Sequence, residues 1–174
     1  IKDKKRTSLT SVRILAICET INEELQQKQK LYVIIQLLDF ILFSAEITEN
    51  ELDFLETVSS AFNIHFKEYG NIKNFILNSV KDIPGKNSVM IVDSLDESDT
   101  EGVKHLSIEN LKGQIIFLNI SSTNTYLMRY SGTEDLFLNG QNIFSGQTYI
   151  FDHGSTIRSP VINTIYYNDV TSIF

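Results

Sequence analysis

Asp39 lies inside an apolar run, Leu31 to Phe43, that Gln36 alone also interrupts. A carboxylate among apolar side chains has to be paired, neutralised or bound to a cation. Glu46, Glu49 and Glu51 follow closely, and four carboxylates together offer the oxygen ligands that a hard divalent cation takes. A plainer reading exists: acidic side chains in the first turn of a helix complement its dipole, and Asp39 pairs with a Lys or Arg. Arg129, between Met128 and Tyr130 in an alternating stretch, faces opposite to both. An arginine on a β surface can grip a phosphate or carboxylate bidentately, and Arg158 offers a second such group. Their plain alternative is a solvated or salt-bridged surface.

Other chemistry lacks its spacing. His65, His105 and His153 are scattered, with no His-x-x-x-His or Glu-x-x-His pair, so zinc hydrolysis is not expected. A Gly-x-Ser-x-Gly elbow is absent, and neither Lys86 nor Lys112 follows the glycines of a phosphate loop. Cys18 is the single cysteine, which excludes an internal disulfide and a cysteine-based zinc site. It reads as a buried thiol on a helix. No catalytic residue is assigned, and the chain is expected to be no enzyme.

The elements that hold these residues change character near Pro84-Gly85. Residues 1–84 read as helical and residues 85–174 as strands and turns. Val12, Leu15, Ala16, Ile17 and Ile21 mark a first helix, from about Ser8 to Gln27. Leu31, Ile34, Ile35, Leu38, Ile41 and Leu42 recur at helical spacing, and Val33, Leu37 and Phe40 extend the apolar surface, so this helix is expected at the centre of a bundle. Thr48-Glu49-Asn50-Glu51 fits a capping box for a helix over 49–62. Asn71 is the expected cap of a last helix, which Pro84 stops.

Val89-Met90-Ile91-Val92 reads as a strand buried on both faces, and Leu95 to Gly102 as an acidic loop. Strands are expected over Gln114 to Ile120, Tyr126 to Tyr130 and Glu134 to Leu138. Asn139-Gly140 is a hairpin signal, because both residues tolerate positive φ. Gly146 and Asp152-His153-Gly154 mark further turns. Short strands at this spacing argue for a β-sandwich or barrel. Tyr166, Tyr167 and Phe174 read equally as a docking surface or as core. The fold class is therefore α+β in two modules: an all-α helical bundle, 1–84, and an all-β sandwich, 85–174.

The stretch from Lys30 to Ile64 resembles the tellurite-resistance-B-like (TerB-like) helical family, whose acidic turn has the form D-G-x-I-T-x-x-E. Here that turn is Ser44-Ala45-Glu46-Ile47-Thr48-Glu49-Asn50-Glu51. The resemblance implies a divalent cation at Asp39, Glu46, Glu49 and Glu51. Leu136 to Ile143, Gly146 and Gly154-Ser155-Thr156-Ile157 are similar to the late strands of forkhead-associated (FHA) domains. That family binds phosphothreonine through a Gly-Arg, a Ser-x-x-His and an Asn. This chain has no Gly-Arg, and Ser107-Ile108-Glu109-Asn110 ends in Asn. The resemblance implies a phosphopeptide site at Ser107, Arg129 and Asn139.

The order of the two modules, with Ile165-Tyr166-Tyr167-Asn168-Asp169-Val170, resembles the N-terminal region of large bacterial ABC transporter proteins. It implies a cytoplasmic regulatory or docking region at the inner face of a membrane. The partners implied are an ATP-binding cassette in the same parent chain and a further protein. ATP and Mg would belong to that cassette, with no cofactor in these residues. Ile1 and the aromatic-rich end at Phe174 also read as a fragment of a longer protein. The alternatives are a phosphopeptide adaptor and a cation-binding stress protein. A net charge of -7 argues against nucleic acid as a partner, and no apolar run reaches the roughly 20 residues of a membrane span.

Overall fold

Among the described residues of the first half, four helices form from its apolar periodicities. They are α1 (Lys2–Glu24), α2 (Gln27–Leu42), α3 (Glu49–Ala61) and α4 (Phe66–Leu77). The computed structural model describes residues 2–43, 46–96 and 101–174, with side chains from residue 11 onward. The chain divides into two compact units, Ile1–Ser79 and Val80–Phe174. Helices fill the first and sheets dominate the second, so the molecule is α+β in that order.

In the helical unit, α2 and α4 supply the core. Leu31, Ile34, Ile35, Leu38 and Ile41 meet Leu55 and Val58 of α3 and Ile72, Phe75 and Ile76 of α4. Each such side chain contributes about 1.5–3 kcal/mol when fully buried. The capping box of α3 is formed: Glu51 N–H donates to Thr48 Oγ1 (3.3 Å), and Thr48 N–H donates to Glu51 Oε2 (2.8 Å). Asn63, at φ 57°, turns the chain out of α3.

Four expectations are corrected in this unit. Helix α4 starts at Phe66 on a His65 cap, whose Nδ1 accepts from Lys67 N–H (3.3 Å), so Asn71 lies within the helix and caps nothing. It ends at Leu77, where Asn78 turns extended, well before Pro84. Helix α1 packs on α3 and buries Cys18 and half-buries Ile14 and Ile21, whereas Val12, Leu15 and Ile17 are exposed. Likewise α2 is not enclosed all round, because Gln36 and Phe40 face solvent.

The second unit starts earlier than Gly85. A 3₁₀ turn at Val80–Asp82 is tied to it by Lys86 Nζ, which donates to the Val80 carbonyl (2.8 Å) and the Lys81 carbonyl (2.7 Å). Among the described residues nine strands follow: β1 (Val89–Asp93), β2 (Lys104–Ser107), β3 (Gly113–Ile120), β4 (Thr125–Gly132), β5 (Phe137–Leu138), β6 (Gln141–Asn142), β7 (Thr148–Phe151), β8 (Thr156–Arg158) and β9 (Ile165–Tyr166). A short helix, α5 (Tyr167–Thr171), comes last. One sheet has the order β2-β1-β3-β4-β7, with β1 and β2 parallel and its other pairs antiparallel. The other is antiparallel in the order β6-β5-β8-β9.

The register places Met90, Val92, Ile115, Phe117, Tyr126, Met128 and Tyr130 on one face of the larger sheet. They share one core with Ile157 and Ile165 of the smaller sheet and Val170 of α5. Val89, Ile116, Leu118 and Leu127 lie on the opposite face and are buried as well. That is why β1, β3 and β4 read as nearly continuous apolar runs. Asn139 (φ 52°) and Gly140 (φ 86°) close the β5–β6 hairpin as expected. Glu134 and Asp135 lie outside β5, and β2 was not foreseen.

Candidate functional site

The acidic group around the α2–α3 turn is spread out. Asp39 is half-buried on α2 and engaged by a neighbour. Glu46 and Glu49 are exposed, and Glu51 is committed to the cap. The two bonds from Thr48 hold the Glu51 carboxyl below the usual glutamate range, the backbone N–H being the stronger cause. Among the described residues, no three His, Cys, Asp or Glu side chains come close enough to hold a metal ion. Ser44 and Ala45, which replace the Asp and Gly of the TerB-like turn, lie outside the described residues.

The three phosphate candidates stand on separate elements. Ser107 ends β2, the edge strand, exposed and opposite Asp93. Arg129 lies in β4, opposite Ile116 and Thr148. Three strand spacings separate β2 from β4, about 14 Å in all, so the two residues do not lie side by side. Arg129 is half-buried, its burial pushes its pKa down, and a neighbour engages it. Asn139 belongs to the other sheet and is already used. Its Oδ1 accepts from Thr156 N–H (2.9 Å), and its Nδ2 donates to Ser155 Oγ (3.4 Å). Arg158 is exposed on β8.

One arrangement escaped sequence reasoning. His105 Nε2 meets Asp93 Oδ1 at 2.9 Å on the β1–β2 edge, and the same oxygen accepts from Leu95 N–H (2.9 Å). Only the parallel pairing of β1 with β2 brings them together, and no local spacing signals it. The terminal aromatics divide between the two readings. Tyr167 packs edge-on against Tyr126 (5.8 Å) and stacks on Phe151 (5.8 Å). Phe174 lies over Tyr126 (5.2 Å). Tyr166 alone is exposed. Cys18 is buried, and burial pushes its thiol pKa up, as suits an inert thiol.

Unpartnered surface is concentrated on the helical unit. Phe40 and Phe43, each 76% exposed, stand with exposed Ile47 around the α2–α3 turn. A groove between α1 and α3 is lined by Val12, Leu15, Glu19 and Asn22 on one side and by Asp53 and Glu56 on the other. Asn22 Nδ2 donates to the Ala61 carbonyl (2.8 Å), while its buried Oδ1 has no hydrogen-bond partner. Among the described residues no helix is long and apolar enough to cross a membrane. Compared with known proteins, the chain matches no family model, no curated protein and no solved structure.

Proposed function

We propose that this chain is a non-catalytic docking and regulatory region of an ABC-type transporter ATPase. It would act at the cytoplasmic face of the membrane on an ATP-binding cassette in the same parent protein. The observation that supports a docking role is the exposed trio Phe40, Phe43 and Ile47. Large aromatic side chains left in water at a helix end cost free energy unless a partner covers them. The identity of the partner rests on the resemblance of the two modules and their order. ATP and Mg would be handled by the cassette.

The test is titration of the chain into the purified cassette domain, with ATP turnover followed in parallel. Saturable binding that Phe40→Asp with Phe43→Asp weakens about tenfold or more is the expected outcome. No binding, or binding indifferent to both substitutions, sinks this reading.

A further inference from the structure

Asn139-Gly140 is the one Asn-Gly pair in the sequence. A glycine has no Cβ, so its nitrogen meets little hindrance in approaching the carboxamide before it. Both residues are exposed at the tip of the β5–β6 hairpin. Beyond its chain neighbours, no atom lies within 4 Å of the place a Gly140 Cβ would take. Water reaches this turn, and no steric cover protects it. Asn139 is held instead by three hydrogen bonds to Ser155 and Thr156. Its N–H donates to the Thr156 carbonyl (3.0 Å), its Oδ1 accepts from Thr156 N–H (2.9 Å), and its Nδ2 donates to Ser155 Oγ (3.4 Å). Main chain and carboxamide are fixed to the same two residues.

We propose that Asn139 is a site of spontaneous deamidation on which the fold acts as a brake, so that the modification marks chains whose β unit has opened. The step needs only the chain and water. The Gly140 nitrogen attacks Asn139 Cγ, and a succinimide ring closes as the N–Cγ bond forms. The Cγ–Nδ2 bond breaks. Nδ2 takes up the proton that the Gly140 nitrogen gives up and leaves as ammonia. Water then opens the ring. Cleavage at Cγ gives aspartate. Cleavage at the main-chain carbonyl carbon of residue 139 gives isoaspartate, with the backbone running through Cβ and Cγ. Nothing is oxidised or reduced.

The brake is conformational. An intramolecular attack needs the reacting atoms brought together in the right geometry. Ring closure requires Asn139 Cβ and the Gly140 nitrogen to lie on the same side of the Asn139 Cα–C bond. Asn139 stands in the left-handed region, at φ 52°. In that region, with ψ near about +47°, the two atoms lie on opposite sides of the bond. The turn has to leave this conformation before the ring can form, and the three bonds to Ser155 and Thr156 keep it there, with the Leu138–Gln141 pairing across the hairpin. The two products differ in consequence. Aspartate keeps an oxygen for the Thr156 N–H. Isoaspartate adds a carbon to a turn whose length sets the register of β5 on β6. A chain converted to it while open cannot close the same hairpin, and the opening is recorded in one direction. The inference does not depend on the cassette reading, whose surface is at the α2–α3 turn.

Peptide mass mapping of the 174-residue chain, aged in mildly alkaline buffer with and without urea, tests it. In urea that unfolds the chain, Asn139 should be the first asparagine converted. Without urea it should convert at least about tenfold more slowly, because only locally opened chains react. At urea concentrations below unfolding, the conversion rate should rise in step with hydrogen exchange of the Thr156 N–H, whose bond to Asn139 Oδ1 has to open for either event. The isolated isoaspartate chain should unfold at lower urea than the parent, with Asn139→Asp between the two. Conversion as fast in buffer as in urea overturns the proposal. So does another asparagine that reacts first in urea, a rate indifferent to Thr156 exchange, or an isoaspartate chain as stable as the parent.

Discussion

Asn139 shows how one side chain can look like a ligand-binding group and be a fastener. Its oxygen holds the Thr156 N–H of β8, and its backbone occupies the left-handed region. Alanine would lose both, at about 1 kcal/mol for the bond and about 1–2 for the backbone. Asn139→Ala should therefore lower unfolding free energy by about 2 kcal/mol in urea titration, and Asn139→Asp by clearly less, because Asp accepts the same bond and tolerates the same φ. Equal losses would mean that neither the bond to Thr156 nor the left-handed backbone contributes. Tyr69 is the opposite case. Its hydroxyl is buried without a partner. Burial, helped by the charge of Glu56, pushes its pKa up from 10.0 to about 12. Above pH 10 the unfolded chain releases that proton and the folded chain keeps it, so stability falls as pH rises toward 12. Tyr69→Phe should flatten that alkaline loss and gain about 1 kcal/mol at neutral pH. A loss on substitution would show that the hydroxyl is bonded in solution. The Asn139 turn was legible because Asn-Gly is itself a backbone signal, whereas the His105–Asp93 pair depends on a parallel register no short spacing encodes.

Elements were legible wherever one periodicity or one cap dominated. The α3 start followed from Thr48 and Glu51 alone, since the box satisfies its donors locally. Thr48→Ala should cost about 1 kcal/mol. The Glu51 carboxyl is held below its ordinary value by that cap, so its contribution is present at neutral pH and is lost as pH falls through the lowered pKa. The acid limb of a stability–pH profile should shrink in Glu51→Gln, and an unchanged limb would deny the cap its electrostatic part. The α4 start was missed because histidine is not among the preferred caps, yet His65 takes the position. Helix α1 was misread for a different reason. Periodicity alone puts Val12, Leu15, Ala16, Ile17 and Ile21 on the buried face. Tertiary contact with α3 selected the Cys18 stripe instead. The β3–β4 edge shows a limit of another kind. Gly113 stands at φ 108°, and a Cβ there would collide with the Ser131 carbonyl. Gly113→Ala should lower stability by at least about 2 kcal/mol, a cost that composition does not announce.

At the scale of the whole molecule, the change from a period near 3.6 to short strands showed the two units, but not where they part. Pro84-Gly85 drew the expected boundary because those residues break helices. The contacts that count are the Lys86 ammonium on the Val80 and Lys81 carbonyls and the burial of Ile83, and they carry the turn before it into the β unit. The division has an energetic consequence. Thr48 and Asn139 belong to different units and share no hydrogen-bond partner. Independent sites add within about 0.5 kcal/mol. The chain carrying both Thr48→Ala and Asn139→Ala should therefore lose the sum of the two single losses if urea unfolds it in one step. If the units unfold in separate steps, each substitution should move its own step alone, which hydrogen exchange resolved by segment would report. A coupling larger than that margin, in either regime, would mean that the helical cap and the β5–β8 fastening sense one another, and that the boundary at Ser79 and Val80 divides the contacts without dividing the free energy.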